Sequence, residues 1–329
     1  MKIAVVGPGA LGSYYGARLL QQGAEAHFLL RSDHDVVKND GVRIQSPDGD
    51  FHVRPHCART PDEIGPCDLV LIGLKTTAND RFPELLTPLV APHTAVLSLQ
   101  NGLGSLERLA GHFNEAQLLG GLCFVCINRP KPGVIHHQAY GRIVMGEYNR
   151  WPEPRTHDLC SLFREAGVPC DVADNLRRAQ WEKLVWNIPF NGLGVAGIVG
   201  HQAVILGDES APQIRKRCLP TDELLASPEW TTLLEELMRE VIAAANALNL
   251  DVADQMAGKM IRNTRTMGAY RASTLIDFER GLPLELDSLF LEPLQQALAA
   301  GVDTPRLAAL CRVLSGLEAA RAHDSNTPP

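Results

Sequence analysis

Three polar side chains recur at a helical spacing in the second half of the chain, where they could bind and protonate a small polar ligand. Lys183, Asn187 and Asn191 follow one another at intervals of four residues, so a regular helix places them in one row. Most residues between them are apolar, and a polar group on an apolar helix needs a partner. The spacing therefore predicts a ligand-binding row whose cation is Lys183, with a solvated helix face as the alternative.

A glycine motif follows the first apolar run of the chain. Lys2–Val6 is predicted to form a strand, Gly7-Pro-Gly-Ala-Leu-Gly12 comes next, and a helical pattern runs from Leu11 to about Gln22. In this strand–turn–helix context, glycines allow a tight turn and a close approach of backbone to a pyrophosphate, which the helix N-terminus attracts. A purely structural glycine turn is the alternative. The predicted cofactor-binding residues of the motif are Gly7, Gly9, Ala10, Leu11 and Gly12.

The end of the second predicted strand indicates which dinucleotide is bound. The apolar run that ends at Leu30 is followed by Arg31. A domain that prefers NAD places an acidic residue here to hold the ribose 2′-hydroxyl, whereas a guanidinium group can bind a 2′-phosphate in bidentate fashion. The sequence thus predicts NADP (NADPH) as the cofactor. A solvated surface arginine is the alternative.

Two further polar residues stand where later strands of the first half end. Lys75 follows the predicted buried strand 68–74, and Asn101 comes two residues after the predicted strand 95–99. Because ligands of open α/β sheets bind outside the carboxyl ends of the strands, both side chains could reach the cofactor or the substrate. Each of them alone would more often be an ordinary loop residue.

The alternation of strands and helices predicts the fold class. It continues to about residue 100, residues 118–148 add further strands, and helical patterns dominate after about residue 174. We therefore predict an α/β protein with an N-terminal Rossmann domain built on a doubly wound parallel sheet (residues 1–173) and a C-terminal all-helical domain (174–329). The active site is expected in the cleft between them. The predicted helices are Leu176–Trp186, Trp230–Leu248, Val252–Arg265, Pro293–Ala300 and Pro305–Arg321, and Gly207–Pro228 is predicted to be a long loop.

Composition excludes several classes of protein. With a net charge of −7 over 329 residues, the chain lacks the basic balance of nucleic-acid binders. No run reaches the roughly 18 consecutive apolar residues that a membrane helix needs. The first ten residues are already a predicted strand and turn, not the charged start of a signal peptide. These observations predict a cytoplasmic protein with neither nucleic acid nor membrane as a partner.

The pair Cys123-x-x-Cys126 has the spacing of a metal or redox motif, but it lies in an apolar run typical of a buried strand. Residues three apart on a strand point to opposite faces, so the two sulfurs cannot readily share a metal. No second such pair or close histidine pair completes a zinc site. We therefore predict that the pair is structural, with no metal and no disulfide.

In this order and combination, the motifs resemble the ketopantoate reductase (2-dehydropantoate 2-reductase) family. The matching segments are the glycine motif, Arg31, Leu-Lys75, Gln-Asn101-Gly-Leu-Gly, Lys183-Leu-x-x-Asn187-x-x-x-Asn191, Ala-Ser273-Thr-Leu-x-Asp277 and Leu-Glu285-Leu-Asp287. No single segment is specific, whereas the set spans nearly the whole chain. The resemblance implies a C-terminal helical domain like that of 6-phosphogluconate dehydrogenase.

The resemblance also implies an activity, the NADPH-dependent reduction of ketopantoate to pantoate in pantothenate biosynthesis. It implies that Lys183 is the catalytic acid and that Glu285 supports it. The implied substrate-binding residues are Asn101, Lys183, Asn187, Asn191 and Ser273, with Lys75 and Asn101 near the nicotinamide. A second copy of the chain, in a homodimer, is a candidate partner. Two alternatives remain open: a reductase of another small 2-keto or hydroxy acid, and a non-catalytic NADPH-binding sensor.

The chain departs from the family pattern at three places. Pro189 stands between the two asparagines, where the family more often has proline just after the second, and it predicts a kink that would redirect Asn191. The segment 207–228 is longer than the usual linker and could reshape the mouth of the cleft or mediate assembly. Residues 288–292 replace a more polar stretch.

Overall fold

The computed structural model describes residues 1–326, with side chains through residue 321. The chain divides into two compact units, Met1–Ala179 and Gln180–Pro329. The functional boundary between residues 173 and 174 stays a prediction. Residues 327–329 of the predicted helical domain lie outside the described residues.

Within the described residues, the first unit contains a ten-stranded sheet with the strand order β4-β3-β9-β8-β7-β6-β1-β2-β5, and β10 pairs with β9. The strands are β1 (Lys2–Val6), β2 (Glu25–Leu29), β3 (Val42–Gln45), β4 (Phe51–Val53), β5 (His56–Ala58), β6 (Leu69–Ile72), β7 (Ala95–Ser98), β8 (Leu118–Lys131), β9 (Val134–Glu147) and β10 (Cys170–Val172). All neighbouring pairs are parallel except β3–β4 and β8–β9. The predicted, mostly parallel Rossmann sheet is confirmed.

Both faces of this sheet are buried, which explains why its central strands are continuous apolar runs. Ile3 and Val5 of β1 pack into one core, and Ala4 and Val6 pack into another on the opposite face. The helices that the chain supplies between its strands are α1 (Ala10–Gln21), α2 (His34–Asp40), α3 (Phe82–Leu86), α4 (Ser105–Ala110) and α5 (Pro154–Glu165).

The second unit is helical, as predicted. Its helices are α6 (Leu176–Ala196, which begins in the first unit), α7 (His201–Leu206), α8 (Thr221–Ala226), α9 (Pro228–Ala247), α10 (Met256–Arg265), α11 (Ser273–Glu279), α12 (Glu292–Ala299) and α13 (Pro305–Asn326), with a π-helical turn at Asp287–Leu291. Among the described helices, none has both the length and the apolar character needed to span a membrane.

Two local predictions for this unit were wrong. The predicted loop Gly207–Pro228 contains helix α8, whose Leu224 and Leu225 are buried. The predicted helix Leu176–Trp186 continues through Pro189 to Ala196. Ile188 and Phe190 beside the proline are 0% and 1% exposed, and their burial offsets the roughly 3 kcal/mol that a proline costs within a helix.

Candidate active site

The glycine loop, Gly7–Gly12, connects β1 to α1 with little space around its backbone. Gly7 has a φ of 80°, and a Cβ atom there would lie 2.6 Å from the backbone nitrogen of Leu74. A Cβ atom on Gly12 would lie 2.6 Å from the carbonyl oxygen of Gly7. Only glycine therefore permits this turn and the close packing of the helix on the strand.

Gly9 differs from Gly7 and Gly12, because a Cβ atom there would meet no protein atom within 4 Å. The open space adjoins the start of α1, whose first turn carries no acidic residue. The first backbone N–H groups of a helix have no partner within the helix and favour an anion. The Ser13 hydroxyl donates to the carbonyl of Pro8 at 2.8 Å and so fixes the loop. The loop thus leaves room for a phosphate group at Gly9, beside the first backbone N–H groups of α1 at Ala10 and Leu11, while the Gly9 N–H itself donates to the carbonyl of Gly7 at 2.8 Å.

The sheet brings the other predicted cofactor residues to the same edge. Strands β2, β1, β6 and β7 are parallel neighbours, so their carboxyl ends lie side by side. Arg31, the glycine loop, Lys75 and Asn101 follow those ends in that order. Arg31 and Lys75 are exposed and Asn101 is half-buried, so both cations are accessible to a ligand.

A hydrogen-bond network that sequence reasoning missed joins two of these strand ends. The Gln100 side-chain amide donates to the carbonyl of Leu74 at 3.1 Å and to the Asn79 side chain at 2.7 Å. The buried Asn79 amide donates in turn to the Ser105 hydroxyl at 3.1 Å. Gln100 immediately precedes Asn101, and the network therefore holds the loops of Lys75 and Asn101 in a fixed relation.

The α6 row, consisting of Lys183, Asn187 and Asn191, lies on a helix that is buried on most sides. Asn187 and Asn191 are 8% and 4% exposed, while Lys183 is half-buried. Despite Pro189, the three residues remain on consecutive turns of one helix. The alternative interpretation, a solvated helix face, is therefore excluded for the two asparagines.

Asn191 makes two side-chain hydrogen bonds within the second unit. Its side-chain amide donates to the carbonyl of Asn187 at 2.9 Å, and its side-chain oxygen accepts the backbone N–H of Thr274 at 3.4 Å. The second contact places the start of α11, and with it the exposed Ser273, next to α6. The structure thus brings Asn187, Asn191 and Ser273 together in the second unit.

Glu285 lies just before the π-helical turn and is 7% exposed. The Ser288 hydroxyl donates to its backbone carbonyl at 3.4 Å, so the turn fixes its backbone. A buried carboxylate needs a cation or hydrogen-bond donors to remain ionised. The predicted role of Glu285, support of Lys183, is consistent with that burial and stays a prediction.

A second feature that sequence reasoning missed is an aromatic cluster on α6. Trp186 stacks on Phe190 with ring centroids 4.9 Å apart, and its ring lies 6.1 Å from that of Tyr270. The Trp186 indole N–H donates to the Thr264 hydroxyl at 2.9 Å. The spacing of Trp186 and Phe190 could have indicated their contact, but Tyr270 is distant in sequence.

Residues 207–220, the part of the 207–228 segment that precedes α8, are held beside α11 at their carboxyl end. The Leu219 N–H donates to the carbonyl of Gly194 at 2.8 Å, and the Cys218 N–H donates to Glu279 at 2.9 Å. Burial raises the pKa of the Cys218 thiol to about 12. At Glu279 burial also acts to raise the pKa, but hydrogen bonds from Arg271 and Cys218 outweigh it and the pKa is lowered. This end of the segment therefore supports the helix that carries Ser273.

The two cysteines of the Cys-x-x-Cys pair are both buried on β8. Cys123, Val125 and Ile127 pack into one core of the first unit, whereas Leu122 and Phe124 pack into the other. This alternation directs the Cys126 side chain away from Cys123. Within the described residues, no group of three His, Cys, Asp or Glu side chains could hold a metal ion.

Comparison with known proteins gives the same family over both units. The family model described as "Ketopantoate reductase PanE/ApbA" matches residues 3–150, and the model of the C-terminal part of the same family matches residues 216–318. The 2-dehydropantoate 2-reductase of Nostoc sp. strain PCC 7120 is 38% identical over 323 residues, which are 96% of this chain and 95% of the relative.

Solved structures agree with that match. The crystal structure of 2-dehydropantoate 2-reductase from Geobacter metallireducens GS-15 has a TM-score of 0.87 and 43% identity, and the match covers 96% of this chain and 99% of that one. The structure described as a dimeric ketopantoate reductase from Staphylococcus aureus shares the fold, with a TM-score of 0.75, 18% identity and coverage of 98% and 100%.

The family and the Rossmann-like fold imply a nicotinamide cofactor and a small keto acid as substrate. The C-terminal description matches the part of the chain that contains Ser273 and Glu285, and the Nostoc relative spans nearly all of it. The chain is therefore an oxidoreductase and belongs to the ketopantoate reductase family.

Proposed function

We propose that the protein reduces ketopantoate to pantoate with NADPH and so acts in pantothenate biosynthesis. The observation that carries the proposal is the α6 row, in which Lys183 and Asn187 occupy consecutive turns of a largely buried helix. A binding protein without catalysis would not need a lysine in such a row. The match to 2-dehydropantoate 2-reductases over nearly the whole chain supports the choice of substrate.

The first unit offers groups that suit NADPH. The open space at Gly9 and the start of α1 fit the pyrophosphate, and the exposed Arg31 at the end of β2 fits the 2′-phosphate. We assign residues 1–173 to cofactor binding and residues 174–329 to substrate binding and catalysis. Lys75 and Asn101 would contact the nicotinamide end of the cofactor.

The bound reduced nicotinamide supplies the hydride that reaches the keto carbon. Lys183 donates a proton to the alkoxide oxygen that develops there, and such positioned proton transfer contributes about 10²–10⁴-fold to the rate. Glu285 holds the lysine ammonium in place. Asn187, Asn191 and Ser273 bind the substrate together with Asn101, since amide and hydroxyl groups can hydrogen-bond its carboxylate and hydroxyl oxygens.

An assay of NADPH oxidation with ketopantoate, pyruvate and other branched 2-keto acids tests this proposal. We expect the highest kcat/KM with ketopantoate. A higher value with another acid would assign the protein to a related reductase of the same family. Binding of NADPH without oxidation by any acid of the panel would instead identify a sensor and contradict the proposed activity.

We also propose that the protein forms a homodimer, as described for the Staphylococcus aureus relative. Sedimentation equilibrium measures this directly. The chain has a mass of 35.9 kDa, and a particle of twice that mass is expected. A particle of the monomer mass at micromolar concentration would contradict the assembly but leave the proposed reaction untouched.

A further inference from the structure

We infer that the ion pair between Arg129 and Asp33 controls the preference of the protein for a cofactor that carries a 2′-phosphate. The inference rests on the proposed function, since it takes NADPH as the cofactor and Arg31 as the residue that binds its 2′-phosphate. Arg129 acts as a positioning residue, because it touches Asp33 and not the phosphate. It neutralises a carboxylate of the loop that carries Arg31.

Asp33 lies two residues after Arg31, in the β2–α2 loop (residues 30–33). The backbone N–H of His34 donates to the carbonyl of Arg31 at 3.3 Å, and the N–H of Val37 donates to the carbonyl of Asp33 at 2.9 Å. These bonds tie the loop to the start of α2. The Cα atoms of Arg31 and Asp33 lie at most about 7 Å apart, the reach of two residues. A phosphate bound by Arg31 would therefore experience the charge of Asp33.

The Asp33 carboxylate is turned into the protein, since its side chain is 9% exposed, whereas Arg31 and Ser32 are exposed. Its Oδ1 accepts the Ser32 hydroxyl at 3.0 Å, and its Oδ2 accepts a guanidinium N–H of Arg129. A buried carboxylate without a cation is costly, and solvent screens its repulsion of a nearby anion only weakly. Arg129 therefore makes Asp33 compatible with a phosphate beside it.

Arg129 reaches the loop from a part of the chain 96 residues away. It lies near the end of β8, and the turn that joins β8 to β9 packs against α2. The carbonyl of Gly133 in this turn accepts the backbone N–H of Arg43 at 2.8 Å, and a Cβ atom on Gly133 would lie 3.6 Å from the Val36 side chain. The long β8–β9 hairpin thus holds the guanidinium at Asp33.

The charges of residues 31–35 and their ion-pair partners are positive on balance. Arg59 follows β5, the neighbour of β2 in the sheet, and forms an ion pair with Asp35. With Arg31 and the Arg129–Asp33 pair, and with the histidine of this stretch neutral, three guanidinium groups and two carboxylates give a net charge of +1. A phosphate monoester adds about −1.5 to −2 at pH 7. Without Arg129 the net charge falls to zero.

An uncompensated carboxylate at Asp33 would act differently on the two cofactors. NADPH places a phosphate at the end of β2, and two anions repel each other there. NADH has a ribose hydroxyl at the same position, and a carboxylate can accept a hydrogen bond from it. Loss of Arg129 should therefore weaken NADPH binding and leave NADH binding nearly unchanged.

The test measures dissociation constants for NADPH and NADH by fluorescence titration in the wild type and in variants of the pair. Arg129→Gln should weaken NADPH binding by about tenfold and NADH binding by less than about twofold, because only NADPH brings a second anion to Asp33. Arg129→Lys keeps the positive charge and should retain most of the preference for NADPH.

The double variant Asp33→Asn/Arg129→Gln separates charge compensation from direct contact. It has no carboxylate to neutralise, so its NADPH affinity should return to within about threefold of the wild type, the signature of two coupled residues. NADPH binding that stays weak in the double variant would show that Arg129 touches the phosphate itself, and would overturn the inference.

Two further variants protect the test. Arg129→Gln leaves a buried carboxylate without its cation and is expected to lose stability. If it does not fold, Asp33→Asn decides, because it leaves Arg129 uncompensated and should tighten NADPH binding but not NADH binding. Arg142→Gln is the matched control, since it removes an exposed arginine of the same hairpin that pairs with Asp171 at 3.0 Å. Its affinities for both cofactors should equal those of the wild type.

The titrations need no substrate, so they separate this inference from the proposed reaction. The expected pattern in a protein that reduces no keto acid would refute that reaction alone. A wild type that prefers NADPH, together with Arg129→Gln that keeps the preference, would overturn the inference alone. Equal losses for both cofactors in Arg129→Gln would identify a purely structural ion pair and would also overturn it. Equal binding of both cofactors by the wild type would refute the proposed cofactor, and the inference with it.

Discussion

The glycine loop of the first unit and the α6 row of the second are constructed in opposite ways. In the loop, Gly7 and Gly12 leave no room for a Cβ atom, and we propose that the backbone itself meets the ligand. In the row, long side chains project from a helix whose other faces are packed, with Leu184 and Val185 1% and 0% exposed. In the proposed function, ligand binding therefore depends on the absence of side chains in the loop and on the identity of the side chains in the row.

This difference predicts different consequences of substitution. A residue of the row can be truncated with little change in the helix, so the loss should appear in the kinetics of the reaction. In the loop, a side chain at Gly7 or Gly12 would displace backbone, and one at Gly9 would occupy the open space beside α1, so the loss should appear in stability or in cofactor affinity. The predictions that follow test this contrast, from the largest expected effect to the smallest.

Lys183→Ala should lower kcat by about 10²–10⁴-fold, because the alkoxide loses its proton donor. NADPH affinity and the thermal midpoint should stay near those of the wild type. Lys75→Ala should instead raise KM more than it lowers kcat, as expected for lost binding. Steady-state kinetics of both variants provides the measurement.

The control for these two variants is Lys131→Ala, since Lys131 is an exposed lysine at the end of β8 to which we assign no role in the reaction. Its kinetics should match the wild type. Near-normal kcat in Lys183→Ala together with a large loss of kcat in Lys75→Ala would reverse the roles that we assign to the two lysines.

Arg31→Ala should weaken NADPH binding by about ten- to a hundredfold, since a hydrogen bond to a charged group is worth roughly 1.5–3 kcal/mol. NADH binding should change little, because NADH lacks the 2′-phosphate. Fluorescence titration with both cofactors measures the selectivity, and Arg43→Ala, at another exposed arginine of the same unit, is the control. Equal loss for both cofactors would refute the assignment of Arg31.

Gly12→Ala and Gly9→Ala separate the two functions of the glycine loop. The first introduces a methyl group 2.6 Å from a carbonyl oxygen and should lower the free energy of unfolding by about 1–3 kcal/mol. The second has space for its methyl group, so it should unfold like the wild type but bind NADPH more weakly. Urea unfolding and NADPH titration distinguish the two. Wild-type cofactor affinity in Gly9→Ala would show that no phosphate approaches this residue.

Cys123 and Cys126 should neither bind a metal ion nor form a disulfide. We predict that the purified protein contains no stoichiometric metal and that all eight thiols react after denaturation without reductant. Metal analysis and thiol counting provide the test. Bound zinc, or two thiols missing from the count, would show that the sulfurs meet despite the alternation of β8.

The first unit was the more predictable from sequence, for a physical reason. Its strands are short apolar runs that end at glycine or a polar residue, and such runs and endings are local signals. The sequence alone therefore predicted one sheet edge that carries the glycine loop, Arg31, Lys75 and Asn101. The hydrogen bond between the Gln100 and Asn79 side chains could not be predicted, because it depends on how two loops pack.

The second unit was less predictable, because packing decides its details. Six residues are too few for the periodicity of α8 to stand out, although Leu224 is fully buried. Pro189 argued for a helix end or kink on local grounds, whereas burial of its neighbours favours continuation. The contact between Trp186 and Tyr270 joins residues far apart in sequence, and no local pattern reveals it.

The most direct test of the central claim follows the hydride itself. The protein is incubated with ketopantoate and NADPH deuterated at nicotinamide C4, in separate experiments with each of the two C4 positions labelled, and the product is analysed by mass spectrometry. We predict pantoate that carries a single deuterium on the carbon next to the carboxylate, the former keto carbon, with one of the two labels and none with the other. Unlabelled pantoate with both labels, or no pantoate at all, would contradict direct hydride transfer to this substrate.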